Sequence, residues 1–296
     1  MFIVQVPVEN PLSPNFHLRL LNSGDLPFCR HLVAQANWNQ NDFDWLRMLH
    51  LEPEGCFAIE CQEEVIATTT SCRFEKVGWI AMVLVDPRFR GRGLAMYLVD
   101  HAIQYLYSKG AETILLDATP LGEKVYRKLG FKNSFHVSRW VRTPGDAPVR
   151  KTVEQQTISE AQLDQMYELD RLVAGGDRRE FLRNLVERNR SLFYVQYDHL
   201  GVISGFVGFR RGKNAIQVGP LVAKQMLSAT ELLDSILNDF SSQTCFIDIP
   251  DTQEMLSQWA VRRGFTEQRS FVRMYLGTSL NIPNELVWVS SGPEKG

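Results

Sequence analysis

The sequence repeats one pattern of apolar segments in its two halves. Residues 56–72 and residues 192–209 each hold an apolar run, a short polar turn and a second run rich in Val, Ile, Phe or Thr. Further along, the apolar run that contains Asp117 has a counterpart in the apolar run that contains Asp248. The matched positions are about 130 residues apart, which is the length of a small α/β unit. The repeat therefore predicts two copies of one such unit.

The chain length and one linker agree with this division. A chain of 296 residues is long enough for two domains. Residues 143–150 are rich in Pro and Gly, which is typical of a domain boundary. We predict a first domain at 1–142, a linker at 143–150 and a second domain at 151–296.

Apolar periodicity in the first half predicts alternating strands and helices, and hence an α/β fold. The predicted strands are 15–22, 56–61, 64–72, 78–85, 113–117 and 135–141. The predicted helices are two within 25–51, one at 94–107 and one at 121–129.

Charge and composition disfavour several classes of protein. The net charge is −2 and each half is near −1, so no basic region is available for a nucleic-acid partner. The longest apolar run, Trp79 to Val85, is far shorter than the ~20 residues of a membrane span. The first residues do not resemble a signal peptide, and five scattered cysteines indicate neither disulfides nor a metal site. We expect a cytoplasmic, metal-free protein with no membrane partner.

The strongest motif is a loop rich in arginine and glycine between a buried strand and a helix. Glycines in such a loop let backbone N–H groups approach a phosphate closely, and arginines at 88, 90 and 92 add positive charge. A pyrophosphate is the expected ligand. No Gly-Lys-Ser/Thr follows, which excludes the NTPase phosphate loop. The strand does not open a βαβ unit, which excludes the dinucleotide-binding Gly-x-Gly-x-x-Gly motif.

Arg88-x-x-Gly91-x-Gly93 resembles the acetyl-CoA-binding motif of the GNAT superfamily of N-acetyltransferases. A second GNAT-like motif follows, with Tyr126 four residues before Gly130-Phe131. The sequences of four segments are similar to those of a group of tandem GNAT proteins whose second GNAT-like domain is of the YitH type. The segments are residues 38–45, 117–122, 219–223 and 271–274. The resemblance implies two domains, each a twisted, mostly antiparallel mixed sheet flanked by helices.

The resemblance also implies that acetyl-CoA is the acyl donor and that an amine attacks it directly in a ternary complex. In this fold the fourth strand splays from the fifth and exposes backbone groups for the pantetheine arm, with the Val85 N–H as candidate oxyanion donor. The usual Asn at the start of the final helix is Thr119 here. The implied donor-binding residues are Val83, Leu84, Val85, Arg88, Arg90, Gly91, Arg92, Gly93, Leu94, Ala95, Thr119 and Tyr126.

Two residues are candidates for proton transfer. Tyr126 is the implied general acid that protonates the departing thiolate, since a phenol of pKa ~10 can serve a thiol of pKa ~8.5 when the geometry is favourable. Asp117 is a candidate general base, although a capping role fits its position equally well. Glu75 and a base that acts through water remain open alternatives.

An aromatic and polar segment is the candidate acceptor site. In GNAT folds the first helical region borders the acceptor, and there Trp38 and Trp45 accompany Asn39 and Asp44. Tryptophans and a carboxylate can bind a cationic amine, although core packing is the alternative for the tryptophans. The expected acceptor is a small-molecule or peptide amine, and the expected assembly is a monomer or homodimer.

The second half departs from the motif of the first. It has no Arg-x-x-Gly-x-Gly loop, and Ala260 stands where Tyr126 stands in the first copy. We therefore predict that only the first domain binds acetyl-CoA. The predicted function is N-acyl transfer, and the alternative is a non-catalytic sensor or interaction protein that binds acetyl-CoA or an amine. Some GNAT proteins carry an acidic residue on the fourth strand, and residues 79–85 contain none here. That departure favours the alternative, whereas the loop and Tyr126 favour the enzyme.

Overall fold

The computed structural model describes residues 15–145, 151–189, 193–280 and 284–293, with the side chains of residues 188, 189 and 284 excepted. Contacts group the chain into unit 1, which is Met1–Asn133 with Met274–Ser279, and unit 2, which is Ser134–Arg273 with Leu280–Gly296. Part of the predicted linker, 146–150, lies outside the described residues. The domain boundaries at 142 and 151 stay a prediction.

Strands and helices alternate along the chain. The strands are β1 (Phe16–Leu20), β2 (Phe57–Cys61), β3 (Glu64–Phe74), β4 (Val77–Val85), β5 (Thr113–Ala118), β6 (Lys132–Arg142), β7 (Gln155–Gln156), β8 (Phe193–Tyr197), β9 (Ile203–Arg211), β10 (Ile216–Ala223), β11 (Cys245–Pro250), β12 (Thr266–Gly277) and β13 (Val287–Val289). The helices are α1 (Leu26–Gln35), α2 (Asp42–Leu51), α3 (Leu94–Ser108), α4 (Pro120–Lys128), α5 (Glu160–Ala174), α6 (Arg179–Asn189), α7 (Met226–Asp239) and α8 (Glu254–Arg262). The strands and helices predicted for the first half are therefore confirmed.

Unit 1 contains a mixed sheet in the order β1-β2-β3-β4-β5. All neighbours are antiparallel except β4 and β5, which run parallel. The end of β12 also belongs to this unit, where the Thr113 hydroxyl donates to the carbonyl of Thr278 at 2.6 Å. The connection between parallel β4 and β5 is made by α3, as a parallel crossover requires.

The core of unit 1 lies between this sheet and α3. The helix buries an apolar stripe completely, including Leu98, Ala102 and Leu106, because these residues recur at helical spacing. Gly78 on β4 allows the close approach, since a Cβ there would lie 2.8 Å from a methyl carbon of Leu106. The packing of α3 on β4 fixes where the helix begins relative to the strand end.

Unit 2 contains the order β12-β6-β11-β10-β9-β8-β7, with β13 also paired to β10. β10 and β11 run parallel, and α7 makes the crossover between them. The apolar side chains of α7 pack with those of β10 and β11 around Ile236 and Trp259. Each unit is thus a mostly antiparallel mixed sheet flanked by helices, as predicted.

Candidate functional site

The loop after β4 begins with a buried aspartate. Asp86 caps the short turn Pro87–Phe89 by accepting a hydrogen bond from the Arg88 N–H at 2.8 Å. Its carboxylate also accepts from the Arg88 guanidinium at 3.0 and 3.1 Å and from Gln35 Nε2 at 3.4 Å. The Arg88 hydrogen bond holds the pKa of Asp86 below its usual value. Asp86 therefore fixes the start of the loop and ties it to the end of α1.

Two glycines shape the rest of the loop. Gly91 and Gly93 have φ values of 77° and 81°, and residues with a side chain rarely adopt this left-handed conformation. Gly93 is the N-cap of α3 and supplies no side-chain cap to the first N–H groups of the helix. A Cβ added at Gly91 would meet nothing within 4 Å. The loop thus presents open backbone beside a helix N-terminus, which suits an anion.

The three arginines of the loop are exposed, and each also contacts the loop or the adjacent strands. Arg88 reaches Glu64 at 3.2 Å in addition to Asp86. The Arg90 Nε donates to the carbonyl of Val85 at 3.1 Å. The Arg92 guanidinium lies over the rings of Phe16 and Phe89, at 6.0 and 5.5 Å from their centroids. The arginines therefore brace the loop while keeping its surface positively charged.

The end of β4 separates from β5. The parallel ladder between them ends at the pair Trp79 and Leu115. The register with β3 then shifts, and Met82 at this point has a φ of 50°. The Thr68 hydroxyl donates to the carbonyl of Met82 at 2.9 Å and supports the irregularity.

Beyond this bulge, β4 is paired with β3 alone among the described strands. Leu84 lies opposite Thr68 on β3, and Val85 lies opposite Ala67. On the side of β5, the backbone of Val83, Leu84 and Val85 consequently forms an open strand edge directly before the loop. We call this stretch the slot edge, and the space beside it the donor slot. The predicted donor-binding residues of β4, of the loop and of the start of α3, with Leu94 and Ala95, are contiguous in space.

The end of β5 contributes the second part of the site. Because β4 and β5 are parallel, their carboxyl ends lie at the same edge of the sheet. Asp117 is partly buried near the end of β5, and Thr119 caps α4 by accepting from the Gly122 N–H at 3.2 Å. The cap of this helix is thus Thr119 and not Asp117. Glu75 is exposed in the turn before β4, at the opposite end of the strand.

Tyr126 is buried on α4 and its ring lies against the first turn of the same helix. A Cβ added at Gly122 would lie 2.9 Å from the Tyr126 ring and 3.3 Å from its hydroxyl oxygen. The ring also lies 6.1 Å from that of Phe131. Burial raises the pKa of the Tyr126 phenol, so the hydroxyl keeps its proton across the neutral pH range.

The four residues predicted to contact the acceptor have different environments. Asp44 belongs to the capping box of α2 and accepts from buried Arg47 at 3.0 Å. Trp45 and Asn39 are buried, whereas Trp38 is partly exposed. Gln35, at the end of α1, donates a hydrogen bond to Asp86 at the start of the loop. The α1–α2 connection therefore begins on the same side of the unit as the loop. Of the four, only Trp38 is partly exposed.

Sequence reasoning missed two residues of this site. Asp86 anchors the loop, and the pair Asp86-Pro87 was an available signal because Asp at an N-cap followed by Pro is a common start of a turn. Met82 forms the bulge, and no sequence feature marks a methionine for a positive φ.

Unit 2 lacks the loop. Only Lys224 and Gln225 separate β10 from α7, and Gln225 makes no side-chain cap. Ala260 on α8 is fully buried. Among the described residues, no cluster of three or more His, Cys, Asp or Glu is placed to hold a metal ion, and no helix has the length and apolar character to cross a membrane.

Two protein-family models match the chain. The model of the acetyltransferase (GNAT) family matches residues 25–131, and a model of an acetyltransferase (GNAT) domain matches residues 166–289. Together they cover most of both halves.

Curated relatives match part of the chain. An uncharacterized N-acetyltransferase of Methanocaldococcus jannaschii is 26% identical over 125 residues, 39% of this chain and 54% of the relative. The N-alpha-acetyltransferase MAK3 of Arabidopsis thaliana is 30% identical over 114 residues, 36% of this chain and 60% of the relative. The chain thus spans a little over half the length of these relatives.

Solved structures match nearly the whole chain in fold. A Pyrococcus horikoshii protein superposes with a TM-score of 0.81 and 18% identity, covering 98% of this chain and 99% of that one. A tandem GNAT protein from the clavulanic acid biosynthesis pathway gives a TM-score of 0.64 and 14% identity, with 90% and 99% coverage. Because a GNAT family model matches each half, the chain belongs to the GNAT acetyltransferase family and carries two GNAT domains in tandem.

Proposed function

We propose that unit 1 transfers an acetyl group from acetyl-CoA to an amine acceptor by direct attack in a ternary complex. The observation that carries this proposal is the junction of β4 and α3. There, the carboxyl end of β4 separates from β5. It is followed by an exposed glycine loop and by the N-terminus of α3, which has no side-chain cap. This junction offers strand-edge backbone for an extended amide-containing arm and, directly after it, donors for a pyrophosphate.

The described residues fit an acyl-CoA donor in charge and in shape. The pyrophosphate would lie over Gly91 and Gly93, where the backbone is open, with Arg88, Arg90 and Arg92 supplying positive charge. The pantetheine arm would follow the edge of Val83–Val85. The Val85 N–H is the proposed donor to the oxyanion that forms when the thioester carbonyl is attacked.

The proposed chemistry needs two proton transfers. The amine nitrogen forms a bond to the thioester carbon, and the carbon–sulfur bond then breaks to release a thiolate. Tyr126 gives its proton to that thiolate. Because burial raises the pKa of the phenol further above that of a thiol, the transfer requires the sulfur to lie within hydrogen-bond distance of the hydroxyl. The amine loses its proton to a base, and Asp117, at the same sheet edge, is the proposed acceptor of that proton, directly or through water.

The proposed acceptor contact at Trp38 is tested by a matched pair of variants. Trp38→Ala is expected to raise the KM for the amine several-fold and to leave acetyl-CoA affinity unchanged, because the indole is partly exposed in the α1–α2 connection and the loop is contacted by Gln35 instead. Trp45→Ala is expected to lower the free energy of unfolding by about 3–5 kcal/mol, because that indole is 1% exposed. Steady-state kinetics and denaturant unfolding measure the two effects. Weaker acetyl-CoA binding in Trp38→Ala would contradict the assignment.

The proposed function is tested by a transfer assay. The chain is incubated with acetyl-CoA and a panel of amines that includes polyamines, amino-acid derivatives and peptide N-termini, and free thiol release is followed. Acetylation of at least one amine, with one thiol released per acetyl group, is expected. Tight acetyl-CoA binding with no transfer to any amine would instead support the non-catalytic sensor.

A further inference from the structure

Unit 2 repeats the strand irregularity that opens the slot edge in unit 1. In β10 the parallel ladder with β11 ends at Val218, and the register with β9 shifts before Leu221. In β4 the parallel ladder ends at Trp79, and the register with β3 shifts before Leu84. Leu221 therefore corresponds to Leu84 as the first paired residue beyond the shift, and the residues after them correspond in turn.

In unit 2 this edge is occupied by another part of the chain. β13 pairs antiparallel with β10, and Val289 lies opposite Leu221. On its other side, the Ser290 N–H donates to the carbonyl of Asp248 on β11 at 2.9 Å. The segment thus bridges β10 and β11 at the position where the first unit leaves β4 and β5 apart.

Side chains hold this segment in place. The buried Trp288 indole N–H donates to the carbonyl of Ala223, the last residue of β10, at 2.9 Å. The Gln253 amide donates to the carbonyls of Glu285 and Val287 at 3.0 and 2.9 Å. Two strand edges and the Gln253 amide therefore bind the backbone of this stretch, and the indole of the stretch itself binds the backbone of β10.

Gly219 in the bulge of β10 makes the close approach possible. A Cβ at this position would lie 2.1 Å from the carbonyl oxygen of Ser290, well inside any allowed contact. The residue in the same bulge of unit 1 is the side-chain-bearing Met82. The absence of a side chain at Gly219 therefore makes room for the segment itself.

We propose that residues 284–293, the β13 segment, are a built-in occupant of the unit 2 slot that corresponds to the donor slot of unit 1. This assignment of the slot depends on the function proposed above for unit 1. A pantetheine arm and an extended peptide both present amide groups along a chain, so one strand edge can bind either. Unit 2 has no glycine loop to hold a pyrophosphate, and its slot is a peptide-strand site filled by the chain.

Hydrogen–deuterium exchange of the full chain tests this occupancy. In the wild type, slow exchange is expected for the amides of Leu221, Val222 and Ala223 and for residues 287–290. Trp288→Ala removes the indole anchor and is expected to speed exchange at both stretches at least about tenfold. A synthetic peptide of residues 284–293, added in trans, should restore protection at 221–223, and a scrambled peptide should not.

A second pair of variants separates displacement of the segment from unfolding. Gly219→Ala is expected to displace the segment, since its Cβ would strike Ser290. Gly201→Ala is the control, because that glycine has a φ of 75° with nothing within 4 Å of an added Cβ. Fast exchange at 221–223 in Gly219→Ala alone, with the sheet elsewhere still protected, supports the proposal.

Three results would overturn the proposal. The first is equal exchange at 221–223 in the wild type, Trp288→Ala and Gly219→Ala, and the second is failure of the peptide to restore protection. The third is protection of 221–223 by acetyl-CoA in the wild type. The function proposed for unit 1 fails separately, if acetyl-CoA does not alter exchange at residues 86–94. That result leaves the occupancy of unit 2 intact.

Discussion

Turnover is expected to fall by about 10²- to 10⁴-fold when Tyr126 is replaced by phenylalanine, while acetyl-CoA affinity stays within about twofold. The hydroxyl is the only group removed, and the ring can keep its contacts with Gly122 and Phe131. Loss of the acid leaves the thiolate to depart unprotonated. Because burial raises the pKa of Tyr126, its deprotonation should not limit the wild-type rate below pH about 10.

The control for this experiment is Tyr107→Phe. Tyr107 is a partly buried tyrosine on α3 whose pKa is also raised by burial, but it lies at the far end of that helix from the loop. Turnover in this variant should match the wild type. Unchanged turnover in Tyr126→Phe, or an equal loss in both variants, would exclude Tyr126 as the acid.

The second large effect is expected at Gly91. An alanine there would project a methyl group into the open space over the loop, which is where we place the pyrophosphate. The same methyl strains a backbone with a φ of 77° by about 1–2 kcal/mol. Acetyl-CoA affinity is expected to fall at least about tenfold, as measured by calorimetric titration.

Gly110→Ala separates backbone strain from loss of the anion site. Gly110 has a φ of 91°, and an added Cβ there also meets nothing within 4 Å, but it follows the other end of α3. Its alanine variant should lose similar stability and keep full acetyl-CoA affinity. Weak acetyl-CoA binding in both variants would show that the Gly91 effect comes from strain alone.

Local patterns in the sequence were sufficient for most of unit 1. Apolar periodicity and turn residues located β4, α3 and β5, because a strand buried on both faces and an amphipathic helix each have their own period. The glycines of the loop predicted a turn, and both have the left-handed conformation of one. Anion binding at the turn stays a prediction. The capping role of Asp44 and the burial of Trp45 were not predictable, because a capping aspartate or a core tryptophan has the same local sequence signature as one that binds a ligand.

Long-range pairing was beyond the reach of sequence patterns. The end of β12 belongs to unit 1, and most of β6 belongs to unit 2. Nothing in the periodicity of a strand says which edge it joins, so the repeat alone could not show this grouping. The three-residue β13 was missed for the same reason, since its role depends on a gap in a sheet formed far away in the chain.

Calorimetric titration of acetyl-CoA into the wild-type chain tests the central claim most directly. One micromolar site per chain is expected, supplied by the β4–α3 junction of unit 1 and weakened at least about tenfold in Gly91→Ala. No binding would contradict the donor site, and two equivalent sites per chain would contradict the assignment of donor binding to unit 1 alone.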